Sequence, residues 1–434
     1  MKSYEIVERY DFGMFGNYAF SAGDIDGNGR AEFAMMSREG DYLLVLDHGG
    51  HKAWDAFLAN KNNWGTSPLL IADVNSDGKA EILVAEDHGE TPSVVVFNGA
   101  GQQIARLACP QGAADYDGAI VDSIAAARRA DGSSIVLALV NGGFLYAFKD
   151  LQPAAIWRLK LTTRYFEHYL HVGDLDGDGN DEVAFTGKPD IGHDVNPPES
   201  SFLHLIDLEG HELWRKPLSE IAPGKSCDHL DFVEIAPIVK RLAPEQQIAA
   251  AMGGCVLDSS GSILWSLNAQ VHHCDWVDTA QVADRRFVLF STHNRGMCML
   301  LADAEGNELW HWDGSDLSAD NCALGQAHFI DWEGNGEVEI VVGEQTNGDQ
   351  PQVRWEEWKH KMPATGVQTV NLYVLGLDGE VREKIPFRDA AVRGWWYNGE
   401  NRPLVLDVDG DGKQEWVWQS RLGAALVVKK VGKE

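Results

Sequence analysis

The pattern that most constrains this chain is a short acidic loop carried five times. In the fullest copy, HVGDLDGDGNDEVAFTG from His171 to Gly187, Asp174, Asp176 and Asp178 stand at alternate positions, followed in step by Asn180 and Glu182. Alternating oxygen side chains suit a hard cation such as Ca²⁺, and Gly177 and Gly179 let the loop curl so that the oxygens converge. The last acidic ligand falls at the ninth position rather than the twelfth, and the flanks read as strands. The unit is therefore strand, cation loop, strand, and not an EF-hand. The other copies are Asp24, Asp26, Asn28 and Glu32; Asp73, Asn75, Asp77 and Glu81; Asp331, Glu333, Asn335 and Glu339; and Asp407, Asp409, Asp411 and Glu415.

The first aspartates lie 49, 101, 157 and 76 residues apart. Two of these gaps are close to two and three times a repeat of about 50, the length of a four-stranded propeller blade. Degenerate copies that keep the strands and lose the ligands begin where this predicts, at Val121, Phe232 and Val277. A second signal closes each repeat, a turn followed by a strand with Trp or a large apolar residue: GHKAWDAFL, GQQIARL, AAIWRLKL, GHELWRKPL, GSILWSLNA, GNELWHWDG and GEVREKIPF. Counting these alone gives seven blades; counting loop positions gives eight. The N-terminal YEIVERYDF has the missing pattern. The sequence predicts an all-β, eight-bladed propeller over residues 1–434, a single domain whose N-terminal strand completes the last blade and leaves no open edge.

Composition bears on the class of partner. A formal charge of −30 argues against nucleic acid or an anionic membrane as partner. No run approaches transmembrane length, and MKSYEIVERYDFG has no apolar core of signal-peptide length. The six cysteines (109, 227, 255, 274, 298 and 322) lack CxxC spacing and read as free thiols in a reducing compartment. The expectation is a cytoplasmic protein, or an extracellular one if a leader is removed.

In a propeller the innermost strands run into the cation loops, so these loops share one rim. The opposite rim carries the inner-strand starts and two long connections, Lys188 to Ser200 and Glu344 to Gly366. Titratable and aromatic residues crowd there: Arg164, Tyr165, Glu167, His168 and His171; Lys225, Asp228, His229 and Asp231; His272, His273, Asp275, His293, Asn294 and Arg295; Asn321, Gln326 and His328; Arg393, Trp395, Trp396 and Tyr397. Trp355 and Lys359 lie in the second long connection. A ring of His, Arg and Tyr with aromatic walls suits binding and proton transfer on an acidic sugar.

The stretch HVGDLDGDGNDEVAFTG, the later GKSCDHLDF and the ending WWYNGENRPLVLDVDGDG resemble the rhamnogalacturonan lyases of polysaccharide lyase family 11. The resemblance covers most of the ring and rests chiefly on the cation loops, which FG-GAP repeats share. It implies a calcium-loaded, eight-bladed propeller that cuts a uronate polymer by β-elimination. The chain departs from that family in being shorter, without room for an accessory β-sandwich, and in having several degenerate loops.

On these residues, Arg295, Arg164 or a channel-bound Ca²⁺ would neutralise the uronate carboxylate. His229, His272 or His273 would take the C5 proton, since imidazole titrates near neutrality. Tyr165 or Lys225 would protonate the leaving oxygen, and His168 completes the titratable set. His229, between Asp228 and Asp231, ranks first as base. Arg164, His293, Arg393, Trp395, Trp396, Trp355 and Lys359 are the expected substrate contacts. Two other readings stand beside the lyase. One is a non-catalytic FG-GAP-type propeller binding glycan or protein through this rim. The other is a glycoside hydrolase, for which Glu167 with Asp228 or Asp275 would be the carboxylate pair.

Overall fold

Eight four-stranded sheets, all antiparallel, follow one another along the chain. The computed structural model describes residues 4–12, 19–37, 40–59, 68–88, 91–110, 120–140, 143–161, 170–187, 202–224, 232–243, 245–251, 253–268, 274, 276–291, 299–312, 322–346, 370–387, 403–420 and 424–431. Seven sheets are four consecutive strands each, beginning with Phe20–Gly23, Glu32–Met36, Tyr42–Leu46 and Lys52–Phe57 in blade one. The eighth takes Leu404–Leu406, Glu415–Ser420 and Ala424–Lys430 from the C-terminal part and adds the first strand, Tyr4–Asp11. That pairing runs from Tyr4 opposite Lys430 to Asp11 opposite Ala424. The eight-bladed, N-terminally closed ring predicted from the sequence is the architecture observed.

Why these segments form blades follows from what covers each strand. Middle strands are sandwiched between neighbouring blades, and Glu32–Met36 and Ser134–Val140 are buried at every position. Outer strands such as Lys52–Phe57 alternate, one face on the neighbour and one in water. The apolar clusters therefore lie between blades: Leu83 and Val94 pack with Val136 and Tyr146, and Phe33 and Leu44 with Val417 and Val427.

At five junctions an outer-strand tryptophan ties one blade to the next. Trp54, Trp157, Trp214, Trp265 and Trp310 donate their indole N–H to the carbonyls of Gly99, Leu208, Ser259, Ala304 and Leu377, at 2.7–3.1 Å. Each acceptor sits in the following blade's outer turn, two residues before a glycine over which the indole lies: Gly101, Gly210, Gly261, Gly306 and Gly379. Between blades eight and one, Tyr10 takes the tryptophan's place, donating to the His48 carbonyl at 2.9 Å beside Gly50. Between blades two and three both partners are lost together. Ala105 stands where Trp would, the turn is Asp150–Leu151, and Leu151 packs into the same cluster as Ala105.

Gly306 shows what the contact requires. Its φ is +82°, and an added Cβ would lie 2.5 Å from Trp265 Cγ. Gly306→Ala is expected to destabilise the protein by about 2–4 kcal/mol, combining left-handed backbone strain with overpacking. The denaturant midpoint measures it, with Gly132→Ala, whose Cβ would meet nothing within 4 Å at a similar φ of +82°, isolating the backbone part.

One boundary differs from the sequence expectation. The strand Glu339–Thr346 extends beyond Gly343, so the first three residues assigned to the long connection of blade seven belong to the sheet. The remainder of that connection, and the segment Lys188 to Ser200, lie outside the described residues.

Candidate functional site

The five intact loops share a backbone frame built by their own carboxylates. The first aspartate accepts N–H bonds from across the loop: Asp24 from Gly27, Asn28 and Gly29 at 2.8–3.0 Å, and Asp174 from Gly177 and Gly179 at 2.8 and 3.0 Å. The closing glutamate reaches back to the N–H after that aspartate: Glu32 to Ile25, Glu81 to Val74, Glu182 to Leu175 and Glu415 to Val408, at 2.7–3.1 Å. Adjacent loops touch through backbone. Ala31 N–H donates to the Val408 carbonyl at 2.8 Å, and a Cβ on Gly410 would lie 2.4 Å from the Gly29 carbonyl oxygen. The loops of blades eight and one are thus in direct contact.

Three loops bring carboxylate oxygens within 4.8 Å of one another: Asp24, Asp26 and Glu32; Asp174, Asp176 and Glu182; Asp407, Asp409 and Glu415. In the second blade Asn75 bridges Asp77 and Glu81 through its amide at 3.1 and 2.9 Å. Burial is the first cause lifting Glu32, Glu81, Glu182 and Glu415 above the ordinary carboxylate range. Loop aspartates add repulsion, Asp176 and Asp178 in the case of Glu182, which is pushed up to about 7. Of these, Glu81 and Glu182 have no Lys, Arg or His within ion-pair distance among the described residues, whereas Glu415 has Lys429. In blade one Glu32 Oε1 is buried with no hydrogen-bond partner among the described residues, and the His48 imidazole stands 3.9 Å from it. Hard oxygen donors, a curled loop and an unsatisfied carboxylate oxygen fit Ca²⁺ in blade one, and the same donor set with Asp178 fits it in blade four. There the ion would cross-link the loop; the geometry gives it a structural role.

The last two loops differ. Lys429 places its ammonium on Asp409 Oδ2 and 3.1 Å from Glu415 Oε1. In blade seven Glu339 accepts the Tyr4 hydroxyl at 2.7 Å and pairs with Lys430 at 3.4 Å, while Glu333 pairs with Lys430 and Lys413 at 3.7 and 3.8 Å. Asp331, Asn335 and Asp411 keep their places in the loop frame: Asp331 accepts from Gly336 at 2.6 Å, Asn335 from Glu337 at 2.8 Å and Asp411 from Lys413 at 2.9 Å.

The central channel is a cavity of about 780 Å³. Toward the inner-strand starts its wall carries a run of rings from four successive blades. His171 meets Phe232 edge-on at 4.3 Å, Phe232 stacks on Trp276 at 3.9 Å, and Trp276 lies 5.0 Å from His328. Phe232, Trp276 and His328 are buried, their faces taken by one another, so they are wall and not an open sugar platform. Deeper in, Thr279 links two acids. Its hydroxyl donates to Glu234 Oε1 at 2.8 Å and its N–H to Asp278 Oδ1 at 2.8 Å, while Asp278 Oδ2 also accepts from Phe329 N–H at 2.9 Å. His328 Nδ1 is 3.5 Å from that oxygen. His328 Nε2 and Gln326 Oε1, the latter at an irregularity in the Cys322–Ile330 strand, are buried without hydrogen-bond partners among the described residues. The described lining includes Glu234, Asp278, Asp331, His171 and His328, and none of it is Lys or Arg.

His229, His272, His273, Arg295, Tyr165, His168 and Lys225 lie outside the described residues, as do Arg164, His293, Arg393, Trp395, Trp396, Trp355 and Lys359. Glu234 and Asp278 were passed over in the sequence because their strands belong to degenerate repeats. The signal was present: one acid kept inside each of the apolar runs FVEIA and WVDTA.

A family of FG-GAP-like repeats matches residues 24–84, the first two cation loops. No curated protein matches the sequence. Among solved structures, the exotype rhamnogalacturonan lyase YesX aligns with a TM-score of 0.59 at 16% identity, over 96% of this chain and 72% of its own. BamB from Moraxella catarrhalis aligns with a TM-score of 0.56 at 14% identity over 99% of both chains. Sqt1 of Saccharomyces cerevisiae gives 0.56 at 9% over 98% of both. At these identities the likeness is one of fold, and it is a fold that the chain has in common with a named lyase and with propellers of other names.

Proposed function

We propose that this protein is a lyase for a uronate-containing oligosaccharide, of the rhamnogalacturonan or a related rhamnose–uronate kind, acting at the channel mouth away from the cation loops. The observation that supports it most is the channel itself, whose wall of His171, Phe232, Trp276 and His328 is continuous in sequence with the histidine-rich segments. His168, His229 and His272 with His273 each lie within four residues of one of these wall positions. In the reaction a base removes the C5 proton, the C4–O bond breaks as the C4–C5 double bond forms, and an acid protonates the departing oxygen. His229 is the proposed base, with His272 and His273 next, and Tyr165 or Lys225 the acid. Because the described wall offers carboxylates and no guanidinium, neutralising the uronate falls to Arg164 and Arg295.

An ultraviolet assay for the new double bond on uronate oligosaccharides tests this. Absorbance should grow on one substrate of a panel, and His229→Ala should slow it by about 10²-fold or more while leaving the melting curve unchanged. Near-normal turnover in that variant removes His229 as base.

A second reading has an observation of its own. Glu234 and Asp278 open onto the channel from neighbouring blades and are joined through Thr279, the kind of carboxylate pair a hydrolase uses. Reducing ends released without absorbance would favour it, and silence in both assays from folded protein would favour a binding propeller.

A further inference from the structure

Lys429 and Lys430 are the last two residues of the strand Ala424–Lys430, the one that receives the N-terminal strand: Glu5 lies opposite Lys429 and Tyr4 opposite Lys430. Successive side chains on a strand point to opposite faces. Lys429 accordingly turns into its own blade's loop, between Asp409 and Glu415, and Lys430 turns across to the loop of blade seven, between Glu333 and Glu339. No such ammonium reaches the loops of blades one and four among the described residues; in blade one Glu32 Oε1 is buried with no hydrogen-bond partner among them, the His48 imidazole standing 3.9 Å away.

We infer that the cation loops divide into two kinds, with Lys429 serving as a built-in cation that keeps divalent metal out of the blade-eight loop. Calcium needs six to eight oxygens around one centre. In blade eight two of the available carboxylates already hold a compact charge that is tethered to the same sheet and therefore always present at high local concentration. A free ion would have to displace it and then sit beside a like charge. Blade seven is closed further, since Tyr4 also holds Glu339 and Lys413 also holds Glu333. Both built-in cations lie at the seam where the ring is closed by non-covalent strand pairing. Closure is thereby balanced by the chain's own charges and does not depend on metal supply, whereas blades one and four depend on it.

The inference rests on Ca²⁺ being the occupant of the open loops, so the test carries a control for that. Full-length protein is stripped, equilibrated with Ca²⁺ alone, separated from free ion and analysed for bound calcium. Asp176→Asn should lose one ion per chain; a wild type that binds none refutes the calcium reading itself. Lys429→Met, which keeps the stem and removes the charge, should gain one ion, and Lys429→Arg should match wild type. Asp409→Asn in the otherwise native chain should lose none. Loss of an ion in Asp409→Asn, or an unchanged count in folded Lys429→Met, overturns the inference. The Asp409→Asn result decides it even where Lys429→Met fails to fold.

Discussion

Deleting residues 1–12 is expected to abolish the cooperative melt of the whole ring. The deletion removes Tyr4, Tyr10 and Phe12, each 3–4% exposed. Tyr4 belongs to the cluster of Trp332, Trp416 and Val341, and Tyr10 and Phe12 to that of Phe20 and Phe33. Losing one buried aromatic side chain costs about 3–5 kcal/mol, so three amount to roughly 10 kcal/mol. That is comparable with the whole stability of an ordinary domain, about 5–15 kcal/mol. The deletion also strips the Tyr10 contact that carries the blade-to-blade pattern over the seam, and bares the edge of Ala424–Lys430, AALVVKK, an apolar strand prone to pairing with other chains. Circular dichroism and size-exclusion chromatography should show a broad or absent transition and soluble aggregate. A truncated chain that stays monomeric and melts sharply near the wild-type temperature would mean that seven and three-quarter blades suffice. Tyr10→Phe separates the terms: it keeps the ring and loses only the hydroxyl with its contacts to Glu8 and the His48 carbonyl, and should cost only about 1–2 kcal/mol.

The sequence carries the fold so clearly because each blade repeats the same physical problem. A cation loop must follow an inner strand, a middle pair must be apolar on both faces, and an outer turn must end the unit, so spacing alone located eight blades and the strand that closes them. The tryptophans were legible as a period but not as a contact, since the carbonyl each one binds lies in the next repeat, 39–67 residues on. Tyr10 stands in for Trp at the one junction where the outer strand comes from the other end of the chain, and nothing local marks it. The cation loops were legible because their chemistry is local. Which of them is already neutralised was not, because Lys429 and Lys430 reach Asp409 and Glu333 only through the register of the last strand. Glu234 and Asp278 show the opposite case: their repeats lack the loop ligands, so nothing in the repeat pattern points to the two acids that line the channel.

Chelation is expected to destabilise the protein strongly at about pH 7.5 and weakly at about pH 5. Glu32, Glu81 and Glu182 are held above the ordinary carboxylate range by burial and then by their loop aspartates, with Glu182 reaching about 7. A carboxyl whose folded-state pKa is raised contributes stability that is fully present below its unfolded value of 4.5 and is lost as pH rises through the folded value. Without a cation, therefore, the folded state weakens as pH rises above about 4.5 and these buried groups ionise, a window that for Glu182 runs to about 7. At 1.36 kcal/mol per pH unit, Glu182 alone accounts for about 3 kcal/mol across that window. Calcium held in the loops would reverse the sign, because it would bind the ionised form and be displaced by protons. With ion at a hundred times its dissociation constant each filled loop gains about 2.7 kcal/mol. Melting temperatures with Ca²⁺ and with chelator should converge near the acid end and separate as pH rises. Glu182→Gln sharpens the test. It should raise the chelated protein's melting temperature at the higher pH, where the buried charge is costly, and shrink the calcium effect by one loop's share. A chelator effect of equal size at both pH values, or a Glu182→Gln variant no more stable than wild type in chelator at the higher pH, would show that these glutamates are not the groups through which pH and calcium act on the ring.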